Sequence, residues 1–199
     1  MNELRKQNIK ATLKYTWPFY ILSGLVLGVA IYFIFGLTHR TPTYKTLTLF
    51  VSGEVNDPET LKKDMLNRFK DNDLKTFSCI SARPTDTNYY QKLSVPGYNT
   101  ADVLIVTESK LNDLVVSAFG MELKDELISS YYQDMSIYSQ DEIKYGIKID
   151  REKVKQYMTL PNEDCYMILN GKSVNTGEYS PKQIKEHNNA LRLVQDWGM

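Results

Sequence analysis

Histidine and cysteine are scarce in this 199-residue chain, two of each, and that scarcity removes most of the chemistry a short protein can carry. Cys79 and Cys165 stand far from each other and from His39 and His187, so no metal-ligand spacing exists and no metal is expected. A serine or cysteine nucleophile needs a positioned histidine. His39 follows an apolar run, and His187 shares a helical side with Ile184, Leu191 and Val194, the side of a core. Neither G-x-x-x-x-G-K-[ST] nor G-x-G-x-x-G occurs, so glycine-rich phosphate loops are missing. Asp125-Glu126, Asp141-Glu142 and Glu163-Asp164 read as solvated loop or helix-end charges. These absences argue against an enzyme, and no cofactor is expected.

Net charge is absent as well, with 24 basic and 24 acidic residues. Setting aside Arg5, Lys6, Lys10, Lys14 and Glu3 leaves 20 basic against 23 acidic residues, a mildly acidic remainder. It carries no basic stripe interleaved with aromatics, which argues against nucleic acid as a partner. N-x-S/T acceptors are lacking, in keeping with a bacterial surface. Internal repeats and low-complexity tracts do not occur.

What is present is an uncharged run, WPFYILSGLVLGVAIYFIFGL, at residues 17–37. At about 1.5 Å per residue a helix of this length crosses a hydrocarbon core of roughly 30 Å. Lysine and arginine concentrate before it, which predicts a cytoplasmic N-terminus and an extracytoplasmic remainder. Pro18 is placed in the first turn of that helix, where its missing N–H costs little. A cleaved signal peptide would have a shorter apolar region and an A-x-A-like site. Here the run ends in GLTHRTP, and no cysteine precedes Cys79, so an uncleaved single-pass anchor in the plasma membrane is expected. The organisation read from this is a basic tail (1–16), a transmembrane helix (17–37), a stem (38–44) and one extracytoplasmic domain (45–199). Gly24, Gly28 and Gly36 permit close packing of the anchor against another helix.

The outer domain alternates strands and helices. TLTLFV at 46–51 suits a buried strand. Asp57 and Pro58 then open a helix whose Leu61, Met65 and Phe69 share one face. LKTFSCI (74–80) and ADVLIVT (101–107) are two more strands, separated by a short helix at 86–95 that Pro96-Gly97 closes. Thr107 or Ser109 is placed as the cap of a helix carrying Leu111, Leu114, Val115 and Ala118. Connections too long for hairpins argue a parallel sheet covered by helices on both faces. Further strands are expected at 145–150 and 164–173, with partial helix in 121–134 and 151–161. A last helix is placed from Ser180 and Pro181 to Trp197-Gly198. Cys79 and Cys165 fall in strand-like segments and are read as buried thiols, although a disulfide is permitted outside the cytoplasm. Tyrosine is plentiful, at fourteen residues, and YYQDMSIY (131–138) is the first place to look for a contact patch, against the alternative of half-buried packing.

LTLFVSGEV…LKKDMLNRF, YYQKLSVPGYNTADVLIVTESKLNDL and YGIKID…DCYMILNGKSVNTGE together resemble one lobe of the extracellular solute-binding proteins of ABC importers. The resemblance spans most of residues 45–197 and implies a single three-layer α/β lobe with a mostly parallel sheet, to which a late strand returns. It departs from the family in two ways. The chain has room for one lobe where the family closes two around a solute, and its anchor is a helix where the family uses a lipid-bearing cysteine.

Ligands of open α/β sheets gather outside the carboxyl ends of the strands. That places candidate binding residues at Ser52, Gly53 and Glu54 after the first strand, at Ser81 and Arg83 after the second, and at Thr107, Glu108 and Ser109 after the third. The plain alternative makes Ser52-Gly53 a turn and Thr107 and Ser109 helix caps, and Arg83 is the residue that structure alone explains least. The expected function is a membrane-anchored binding module without catalysis, an accessory component of a membrane transport system contacting a membrane-protein partner or a small solute. The alternatives are an assembly subunit of an envelope complex and, less favoured, a hydrolase with an unrecognised triad.

Overall fold

The computed structural model describes residues 3–38, 41–72, 74–176 and 188–199. It divides the chain into two compact units, Met1–Arg40 and Thr41–Met199. The first is one helix, α1 (Glu3–Thr38), containing a stretch from Lys14 to Gly36 of mean hydropathy 2.2 that is long and apolar enough to cross a membrane. Large apolar side chains between Trp17 and Phe35 lie exposed in it, as a span without its lipid must leave them. Pro18 is inside the helix and not in its first turn, because the polar residues from Glu3 onward are already helical. The histidine at 39 lies outside the described residues, as do the helix start at Ser180-Pro181, Ile184 and His187.

The second unit is an α/β domain. In chain order it contains β1 (Thr46–Ser52), β2 (Glu54–Val55), α2 (Pro58–Arg68) and β3 (Thr76–Ala82). Helical turns α3 (Tyr89–Lys92) and α4 (Tyr98–Thr100) follow, joined by a widened turn at Leu93–Gly97, then β4 (Val103–Thr107) and α5 (Glu108–Asn112). The second half adds α6 (Asp125–Tyr131), β5 (Ile137–Gln140), β6 (Ile143–Lys148), α7 (Arg151–Val154), β7 (Met158–Thr159), β8 (Cys165–Leu169) and α8 (Asn189–Trp197).

Six strands form one sheet in the order β3-β1-β4-β8-β6-β5, while β2 and β7 pair separately. The expectation of a mostly parallel sheet is corrected to a mixed one. β1 runs parallel to β3 and β4, yet β8, β6 and β5 add three antiparallel pairings. The reason lies in the return path. β5 and β6 are joined by a two-residue turn, Asp141-Glu142, with φ values of 53° and 67°. Such positive-φ turns match the twist of a hairpin, but glycine or asparagine usually announces them, and Asp-Glu does not.

The sheet buries both faces by strict alternation. Leu47, Leu49 and Val51 join Val103, Ile105, Met167 and Leu169 on one face, packed by Leu61 and Met65 of α2, Val154 of α7 and Leu191, Val194 and Trp197 of α8. Phe50, Leu104, Val106 and Ile168 point to the other, where Tyr89, Leu93, Leu111 and Phe119 cover them. Helices on both sides of the sheet make three layers.

Local signals act as read at α2. The Asp57 carboxylate accepts from the N–H groups of Glu59 and Thr60 and from the Thr60 hydroxyl, which holds its pKa below the usual aspartate value. Loss of this cap in Asp57→Ala is expected to lower the midpoint of urea unfolding of the full chain in detergent micelles, and an unchanged midpoint would show that the cap is dispensable. Two other expectations are corrected. The segment after Lys92 turns on through Pro96 to Thr100, so Pro96-Gly97 does not close it. α5 stops at Asn112 with no side-chain cap at Thr107, leaving Val115 exposed and burying Val116 in its place.

Tyr132 and Tyr138, central to the segment read as a contact patch, are buried. The Tyr132 hydroxyl donates to the Leu191 carbonyl, and Tyr138 lies in β5. The packing alternative holds there. Cys79 and Cys165 are free thiols. They lie on β3 and β8 with β1 and β4 between, so three strand spacings of about 4.8 Å separate those strands, well beyond the reach of a disulfide.

Candidate functional site

Parallel strands β1, β3 and β4 end at one edge of the sheet, at Ser52, Ala82 and Thr107. Antiparallel β8 starts at the same edge, opposite Thr107, and so delivers residues 160–164 to it. A second tie comes from β2 and β7, which set Glu54 opposite Thr159. Gly53 is the joint between them. Its N–H donates to the carbonyls of Val51 and Ala82, both at 3.0 Å, and a Cβ there would stand 2.6 Å from the Thr159 carbonyl oxygen. Only glycine allows this approach.

These pieces enclose a groove of about 300 Å³. Gly53, Glu54 and Arg83 line one side with Pro84 and Thr85, and Leu160, Pro161 and Glu163 close the other. The Arg83 guanidinium pairs with the Glu54 carboxylate at 2.5 Å, and both side chains are more than half exposed. An exposed pair of this kind contributes about 1 kcal/mol or less. A charged group entering the groove can therefore exchange with either partner at small cost. The volume sits at the lower end for small-molecule sites, and apolar walls with a few polar groups are their usual lining.

The other expected site residues are placed differently. Ser52 is fully buried, its Oγ 2.5 Å from the Tyr89 hydroxyl, and burial raises the Tyr89 pKa against the opposing effect of that hydrogen bond. It is not presented to solvent and does not line the groove. Thr107 is likewise buried, with Oγ1 3.3 Å from the Ser109 hydroxyl. Ser81 is half-buried in β3. Glu108 and Ser109 are exposed and join the groove through the loop before β8. The Ser109 N–H donates to Glu163 Oε2 at 3.3 Å, and the Glu108 N–H to the Asp164 carbonyl at 2.8 Å. Glu163 thus belongs to both clusters.

That loop is held from behind. The Arg151 guanidinium donates to the carbonyls of Pro161 and Glu163, and Lys148 Nζ donates to Asp164 at 2.7 Å, which raises the lysine pKa. Burial pushes the Cys165 thiol up to about 11, although Arg151 pulls the other way, and pushes Cys79 up to about 12. Neither is a thiolate at neutral pH, so neither is an activated nucleophile. Among the described residues no three His, Cys, Asp or Glu side chains gather to share a metal.

Sequence reasoning found one wall of the groove and missed the other. Thr159, Leu160, Pro161 and Glu163 become part of the site only because β8 runs antiparallel and β7 pairs with β2. The Pro161 helix stop was visible, but nothing local said which edge it would reach. No protein-family model and no curated protein matches the chain.

Proposed function

We propose that this chain is a membrane-anchored extracytoplasmic binding module, acting without catalysis as an accessory component of a membrane transport system. The observation that carries the reading is the groove at the carboxyl edge of the sheet, where Glu54 and Arg83 form an exposed, exchangeable ion pair beside the apolar Leu160 and Pro161. The resemblance to one lobe of the solute-binding proteins adds support. The late strand Cys165–Leu169 lies beside Val103–Thr107, as a strand returning to its lobe would. The α1 span supplies the anchor, with the basic tail inside the cell.

Among the described residues the groove is open to solvent and not enclosed. A small solute would be held open-sided, and the missing wall would come from a partner in the membrane. That openness also favours a second reading, in which the groove is a docking surface for another subunit of an envelope complex.

Thermal shift of the full chain in detergent micelles against a panel of small charged and zwitterionic solutes separates the two. A solute that raises the melting temperature by several degrees, with its apparent affinity lowered about tenfold in Arg83→Ala, is the expected result for solute binding. A photo-crosslinker at Thr85 that captures a membrane protein, with no solute active, is the result for docking. The proposal fails if no solute acts and Thr85 captures nothing.

A further inference from the structure

The sheet ends in two edge strands, β3 and β5, and they are built differently. β5 is four residues long, carries a register shift at Tyr138/Ser139 and runs into the positive-φ turn at Asp141-Glu142. Short length and an irregular ladder are devices by which natural sheets blunt an edge against further pairing. β3 has neither. It is seven residues in unbroken register with β1, TFSCISA, without charge, proline or glycine.

Alternation along β3 decides which of its backbone groups are already bonded. The Ala82 carbonyl accepts from the Gly53 N–H, so Ala82 turns its backbone groups toward β1, as by alternation do Thr76, Ser78 and Ile80. Phe77, Cys79 and Ser81 point theirs away from β1. Among the described residues those outward N–H and C=O groups make no hydrogen bond. The side chains beside them leave the edge accessible, since Thr76 and Ser78 are exposed and Cys79, Ile80 and Ser81 half-buried.

We infer that β3 pairs antiparallel with β3 of a second copy of this chain across a two-fold axis, joining two six-stranded sheets into one. Charge complementarity selects this occupant. In the register centred on Cys79, Phe77 of one copy faces Ser81 of the other, and Cys79 faces Cys79. Each hydrogen-bonded pair exchanges two bonds, so this register uses every outward N–H and C=O. Between those pairs Thr76 meets Ala82 and Ser78 meets Ile80, so no like charges oppose each other within the ladder. Beyond its ends Lys75 comes opposite Arg83, whose charge Glu54 offsets. A charged partner strand would find no counter-charge on β3. One strand against another is a small contact by the standard of stable interfaces. α1 compensates for that, because copies held in one membrane meet at a raised effective concentration. The contact is isologous and therefore closes at two copies. None of this depends on what the groove around Glu54 and Arg83 binds.

Sedimentation equilibrium of the full chain in density-matched uncharged detergent should give twice the mass of one chain. Ser81→Pro removes an outward N–H and leaves the β1 ladder whole, a substitution that an edge strand tolerates. By symmetry it deletes two hydrogen bonds from the dimer. It should raise the dissociation constant about tenfold or more, with an unchanged circular dichroism spectrum. Ser78→Lys places on the exposed side a charge of the kind that natural edges carry, and should raise the constant as well. Spin labels at Thr76→Cys, in a chain carrying Cys79→Ala and Cys165→Ala, read the register. Thr76 lies three residues from the centre in each copy, so about 20 Å of strand separates the labels. A monomer at every concentration overturns the inference. So does a dimer that either folded variant leaves intact, or one whose labels lie beyond about 30 Å.

Discussion

Replacing Asp102 by alanine is expected to destabilise the α/β domain by at least about 3 kcal/mol, because three donors, two of them in buried hydrogen bonds, lose their acceptor together at about 1–3 kcal/mol each. Asp102 is buried immediately before β4, and uncharged groups donate to it. One oxygen accepts from the Thr48 N–H at 2.6 Å, and the other from the Ser173 hydroxyl and from Asn175 Nδ2 at 3.1 Å. Asn175 in turn donates to the Thr46 carbonyl at 2.7 Å, so one carboxylate fastens the segment after β8 to the first strand. In a domain of this size each kcal/mol moves the melting temperature by about 2–4 °C, so a drop of about 6 °C or more is expected by differential scanning calorimetry of the full chain. A change below 2 °C would show that the clasp is dispensable.

The same residue sets a pH dependence of unusual sign. Burial raises the Asp102 pKa above the ordinary value, against the opposing hydrogen bonds from Ser173, Thr48 and Asn175. A carboxyl whose folded pKa is raised favours folding fully below its unfolded value and loses that contribution as pH rises through the folded value. The stability difference between the natural chain and Asp102→Asn should therefore widen as pH falls from 7 toward the ordinary aspartate range. A difference that narrows instead would mean the hydrogen bonds outweigh burial.

The second large effect concerns α1. Deleting residues 17–37 is expected to move the chain from the carbonate-resistant membrane fraction entirely to the soluble one. Leu27→Arg places a charge near the middle of the apolar run, at a cost of about 2.5–3.5 kcal/mol, and should lower the membrane-bound fraction substantially. Mass spectrometry of the natural chain checks its other half. An intact N-terminus on the membrane is expected, and a mature protein beginning after residue 37 would show that the helix is a signal sequence. Protease added outside intact cells should digest Thr41–Met199 if the basic tail is cytoplasmic.

Much of the first half of the domain was legible because its signals are local. Asp57-Pro58 announces a helix start, and runs such as TLTLFV and VLIVT can bury both faces only as central strands. Those rules act over a few residues, and the structure obeys them at β1, α2, β3 and β4. The second half was less legible because its decisive interactions are distant. Ile137–Gln140 looks like part of a tyrosine-rich surface until the positive-φ turn at Asp141-Glu142 folds it onto β6. Tyr138 is then inside, and the sheet becomes mixed.

The candidate groove divides along the same line. Gly53, Glu54 and Arg83 follow from a rule about strand ends that needs only the order of strands, and they line the groove. Ser52 and Thr107 satisfy the same rule and are buried, since a hydroxyl at a strand end can as well bond inward, as Ser52 does to Tyr89. Asp102 gave no signal at all. One aspartate before a strand looks like any other until Ser173 and Asn175 close on it.

By itself the sequence determined that this chain carries a helix able to span a membrane and a domain that alternates strands and helices. Length, hydropathy and composition are properties of segments, and no fold is needed to read them. Only the tertiary structure decided that β8 runs against β4, that residues 160–163 face Glu54 and Arg83, and that β3 ends the sheet as an edge strand. Those facts depend on which distant segments bury the most apolar area together, and that is a property of the whole sheet.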